Sequence, residues 1–189
     1  MAIVLQLLFI LMACGYGLVT LVTVEQRVAF NQHAGAAVAH AADAAVERAL
    51  MDLWPLADFS PVLAGSAVSS FRSGGPMPVL PDGTQGSLAA MTNDVQAITD
   101  ADATWGGDRP RWTLYAFGPI NDLAGAAGPA SQEYLVAWVA DDRADGDNDP
   151  AADANGLVVV LGRAYGATGS RTMEVVIRER TVVSWREWQ

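Results

Sequence analysis

A chain of 189 residues is long enough for one domain of ordinary size plus an extended element, and too short for a second full core. It carries 21 acidic residues against 11 basic ones, all arginine, and the resulting formal charge of −10 repels polyanions, which sets nucleic acid aside as a partner. Its single cysteine, Cys14, excludes a disulfide within the chain and any zinc site built on several thiolates.

The first element is read from Met1 to Val24, "MAIVLQLLFILMACGYGLVTLVTV", which holds no charged side chain. At about 1.5 Å per residue a helix of this length covers about 36 Å, enough for a hydrocarbon core of about 30 Å. A secretory signal would need a basic start and a shorter apolar centre, but the first basic residue is Arg27. "LMAC" at 11–14 has the form of a lipoprotein cleavage box around Cys14, yet the apolar run continues for ten residues beyond it. Those flanks argue against both readings.

No proline occurs before Pro55, and strong helix formers dominate the stretch after the apolar run, so the sequence predicts one nearly continuous helix over residues 2–53. Any break is expected near Gly15–Gly17. From Val24 onward Val28, Gly35, Val38, Ala42, Ala45, Val46 and Leu50 recur at three- and four-residue steps and form one apolar stripe. The expected division is therefore a membrane or filament-core half over 1–24 and an amphipathic half over 25–54 that packs on the head.

Residues 55–110 collect turn formers, among them Pro61, Gly74–Gly75–Pro76, Pro81–Asp82–Gly83 and Gly106–Gly107, and read as a connecting region with a short helix near Leu88–Ile98. Strands follow over 111–189. "RWTLYAFG" alternates, with Trp112, Leu114 and Ala116 on one face and Thr113, Tyr115 and Phe117 on the other. "EYLVAWVA", "LVVVLGRAYG" and "TMEVVIRERTVV" complete four strands, with "ATGSR" as the tight turn between the last two. An antiparallel sheet with one apolar face needs a cover, which the amphipathic half of the long helix supplies, giving an α+β fold.

Between the second and third of these strands, "DDRADGDNDPAADANG" at 141–156 holds six aspartates. Asp145, Asp147 and Asp149 stand at alternate positions, a spacing that brings carboxylates together around one calcium ion, Ca2+, with backbone carbonyls completing the shell. An EF-hand is excluded, because Pro150 and Gly156 stand where that loop needs glycine and glutamate. The competing reading is an acidic loop kept in water by its charge. His33 and His40 share a helix face but lack a third metal ligand. No nucleophile elbow, phosphate-binding glycine loop or histidine outside the long helix is available to build a catalytic set, so no enzyme is read here.

An apolar start passing directly into an amphipathic continuation resembles a mature type IV pilin. "AADAAVERAL" at 41–50, "WTLYAFGP" at 112–119, the Asp-rich turn and the closing "GRAYGATGSRTMEVVIRER" are similar more narrowly to the PilX-type minor pilins. The resemblance implies a long helical spine packed on a four-stranded antiparallel sheet. It also implies a subunit stored in the bacterial inner membrane and then assembled with other pilin subunits into an extracellular filament. Met1 would then be the first residue left after a leader is removed, and Met1, Leu5 and Gln6 would lie at the assembly contact. Where pilins usually carry a glutamate that meets a neighbour's N-terminal amine, this chain has Leu5 with Gln6 beside it. An unpaired carboxylate in lipid is costly, and leucine is the safer residue where no amine faces it. The alternative is a membrane-anchored extracytoplasmic binding domain that never polymerises.

Overall fold

A computed structural model of the chain describes residues 1–102, 109–124, 132–147 and 149–188. The expected turn at Gly106–Gly107 lies outside these residues. Helix α1 runs without interruption over Ala2–Leu53, passing through Gly15 and Gly17. It ends where Pro55 removes a donor, and the amides of Trp54 and Leu56 close on the carbonyls of Leu50 and Leu53, each at 2.9 Å. The chain forms two compact units, Met1–Ala36 and Ala37–Gln189.

The first unit is helix alone. Its described large apolar side chains stay exposed from Met1 through Phe30. The hydroxyls of Thr20 and Thr23 donate back to helix carbonyls of Tyr16, Gly17, Val19 and Thr20 at 2.7–3.1 Å, so these polar groups are satisfied within the helix itself.

The second unit has three layers. Its sheet is an antiparallel meander in the order β1 (Thr113–Pro119), β2 (Tyr134–Asp141), β3 (Leu157–Gly166), β4 (Gly169–Arg178) and β5 (Thr181–Glu187). The sheet therefore has five strands, one more than expected. "TMEVVIRERTVV" is not one strand, because the chain turns at Glu179, whose φ of 51° is left-handed, and returns as β5. A glutamate in that conformation hides the turn from a reading that looks for glycine. The expected tight turn is present between β3 and β4, where Gly166 pairs with Gly169 across Ala167 and Thr168.

One face of the sheet is covered by the later part of α1. Val38, Ala41, Ala42, Ala45, Val46, Ala49, Leu50 and Leu53 are buried with Ala137, Val139, Val158, Val160, Ala164, Val175 and Ile177, joined by Phe59, Val62 and Leu63 around the short helix α2 (Ser60–Leu63). Small residues on both surfaces set how close the layers come. A Cβ built on Gly162 would lie 2.6 Å from Val46 Cγ2 and 2.9 Å from the carbonyl oxygen of Ala42, and one on Gly166 would lie 2.3 Å from Val38 Cγ2. The helix backbone thus rests almost directly on β3 at Gly162, while at Gly166 the Val38 side chain fills the space a methyl group would need.

The opposite face is covered as well, by α3 (Leu88–Ala101), which buries Leu88, Met91, Val95 and Thr99 at helical spacing. Ser87 caps it by accepting from the Ala90 amide at 3.3 Å. Two indoles of the sheet are pinned to this helix: Trp138 Nε1 donates to Thr92 Oγ1 at 2.8 Å and Trp112 Nε1 to Thr99 Oγ1 at 2.7 Å. Helix α4 (Ile120–Ala124) follows β1.

Both outer strands lose register once. β1 pairs Leu114 with Trp138 and then Ala116 with Ala137, skipping Tyr115; β4 pairs Val176 with Ser184 and then Ile177 with Val182, skipping Val183 of β5. The bulge in β1 overturns the strict alternation expected there. Tyr115 and Ala116 join the α1 face, while Phe117 joins Trp112 and Leu114 on the α3 face.

Candidate functional site

The loop 142–156 leaves β2 at Asp141 and returns at Leu157, and its aspartates tie it together. Asp142 accepts from the Ala144 amide (2.8 Å) and from Asn155 Nδ2 (2.7 Å), and Asp153 accepts from the Gly156 amide (2.7 Å). Asp149 closes its own turn by accepting from the Ala151 amide at 3.1 Å. Asp145 accepts from the Ala154 amide (2.7 Å), Asp147 from the Asp149 amide (2.8 Å) and Asp141 from the Asp142 amide (2.9 Å).

One carboxylate oxygen each from Asp141, Asp145 and Asp147 lies within 4.8 Å of the other two. Two oxygens bound to one calcium ion at about 2.4 Å stand at most about 4.8 Å apart, so the three fit a single hard cation. Of the residues named from the sequence, Asp145 and Asp147 are in this group. Asp149 is outside it and Asp141 takes its place. The sequence carried a signal for Asp141, since it is the acid that ends a buried strand, but loop spacing drew attention away from it. Asp141 and Asp145 are buried and Asp147 is exposed.

Burial pushes the Asp141 carboxyl up to about 7, and the neighbouring carboxylates of Asp145, Asp142 and Asp147 push in the same direction, while the Asp142 amide works against them. The nearby cation Arg143 reaches Asp102 at 3.7 Å. A divalent ion would relieve the crowding by ligation.

The remaining residues singled out by sequence do not converge. Met1, Leu5 and Gln6 are exposed on the first unit, with the Leu5 amide donating to the Met1 carbonyl at 3.2 Å. His33 and His40 are exposed on α1. Near the C-terminus, and not singled out above, Trp188 is half-buried against the α3-side core, whereas Trp185 is 42% exposed. A half-buried polar clamp escaped the sequence reading altogether. Arg48 donates to Asp52 (2.5 Å) and Ser70 (2.6 Å), and Ser69 donates to Asp52, which fastens the segment after α2 to α1.

By length and composition the apolar part of α1 is sufficient to cross a bilayer. Comparison with protein-family models, with curated proteins and with solved structures finds no match in any of the three.

Proposed function

We propose that this chain is a structural subunit of a type IV pilus-like extracellular filament, held by its N-terminal helix in the bacterial inner membrane before assembly and packed through that helix against other pilin subunits afterwards. One observation carries the reading: α1 exposes its apolar side chains as far as Phe30 and then, within the same helix, buries them from Val38 onward in the sheet of its own head. Seventeen large apolar side chains are exposed between Met1 and Phe30. At about 1.5 kcal/mol each or more, their burial is worth on the order of 25 kcal/mol, beyond the 5–15 kcal/mol that typically stabilises a domain. Such a surface needs lipid or neighbouring copies around it.

Helix continuity favours the filament over a plain anchor. An anchored binding domain needs only a span and a linker, whereas here the span and the head's own core helix are one element. The test is to express the chain with its export machinery and to collect material sheared from the cell surface. Polymers whose neighbouring copies crosslink through a photoreactive residue at Leu18 support the filament. A chain that stays in the membrane fraction as a monomer would leave the anchored domain.

A further inference from the structure

We infer that the head carries a binding site for a small apolar acid, a molecule with an aromatic or short aliphatic body and one carboxylate. The site is a groove of about 510 Å³ between the start of α3, the outer strand β1 and the segment that follows α2. Leu88, Leu114 and Phe117 form its apolar floor, and Arg72 and Asn93 stand among its lining as the groups able to bind an anion. This volume lies within the roughly 300–1,000 Å³ of small-molecule pockets, and the pattern of an apolar floor with a few polar groups is the one such pockets show.

Arg72 decides the ligand's chemistry. Its guanidinium carbon lies 5.0 Å from the centre of the Phe117 ring, a stacking that holds the cation over the floor. It forms no ion pair with a carboxylate of the described residues, in a protein whose acids outnumber its bases 21 to 11. Its backbone is fixed by parallel pairing with β1: the Phe117 amide donates to Phe71 O at 3.0 Å and the Ser73 amide to Phe117 O at 2.8 Å, with Arg72 between them. Ser73 also donates to Asp122. The guanidinium is thus offered from a rigid segment, its planar fork free to take a carboxylate through two parallel hydrogen bonds. Asn93, one turn beyond Ala89 on α3, adds an amide donor. Thr92 contributes little, since its hydroxyl donates to Leu88 O and accepts from Trp138.

The full chain in nanodiscs of zwitterionic lipid, titrated by calorimetry with 4-phenylbutyrate and with its neutral amide, tests the site. The expected result is a carboxylate affinity at least about tenfold above that of the amide, a preference that R72Q removes. Ala89→Phe, a change at an exposed helix position, fills the groove and should abolish binding of both while the melting temperature stays unchanged. Absence of carboxylate binding up to about 10 mM would overturn the proposal, as would an unaltered preference in R72Q.

Discussion

Asp141 is the residue whose chemistry sets the clearest expectation. Its carboxyl titrates near 7 in the folded chain because it is buried beside three other carboxylates, against about 3.9 in an unfolded one. The folded state therefore holds this proton more tightly. Below about pH 4 the group is neutral in both states and has no effect; as pH rises from about 4 to 7 the unfolded chain ionises first and stability falls, and above about 7 the loss is complete. Asp141→Asn keeps the oxygen that accepts from the Asp142 amide and removes the charge. Without divalent ions it should melt higher than the parent at about pH 8 and level with it at about pH 4, as followed by circular dichroism. The same melt in millimolar calcium and in chelator tests the ligand set. A rise abolished by D147A supports ligation, and equal temperatures leave an acidic loop held by its own turns.

Gly162 makes a second expectation at this scale. A methyl group there meets not only a flexible side chain but the backbone of α1 at Ala42 and Val46, so the helix has to retreat from β3. Gly162→Ala should cost about 1–3 kcal/mol, read from the urea midpoint. Gly75→Ala, at an open position, should cost far less.

At the scale of elements, α1 and the β3–β4 hairpin were legible in the sequence, from a proline-free apolar rhythm and from a glycine-bearing turn between β-branched runs, and α3 stands where a short helix was expected near Leu88–Ile98. The covering of the sheet was less so. Tyr134–Asp141 is buried along its whole length, as its unbroken "YLVAWVA" implies, since strands buried on both faces read as continuous apolar runs rather than alternations. A one-cover expectation overlooked that cue and left α3 without a place. The bulge at Tyr115 has no marker in residue type, and the metal-like cluster depends on where β2 ends, which spacing within the loop does not give. The tie between α3 and the sheet is itself testable. Thr92→Val keeps the shape but removes the acceptor for the buried Trp138 indole, and should cost about 1–3 kcal/mol in chemical denaturation.

For the whole molecule, the two units predict separable properties. Among the described residues, the buried cores draw nothing from 1–24, since every α1 residue in them lies at Val38 or beyond. Deleting residues 1–24 should therefore give a folded, water-soluble head with a cooperative melt. In the proposed filament that head should fail to enter polymers. Truncated chains appearing in sheared filaments would place assembly elsewhere than in the apolar helix.

The lost register at Tyr115 and Val183 has a further consequence. An outer strand with an unbroken row of free amides and carbonyls is a template on which another sheet can grow, and crowding raises the rate at which edges meet. If copies are drawn together by their helices, their heads come to very high local concentration, where a regular outer strand would fuse them into one irreversible cross-β mass. An extra residue on each flank interrupts the row after a few rungs, and on the β1 side Ser69–Ser73 already occupies part of it. Copies crowded in that way would find on these two flanks no long, regular edge on which to pair irreversibly.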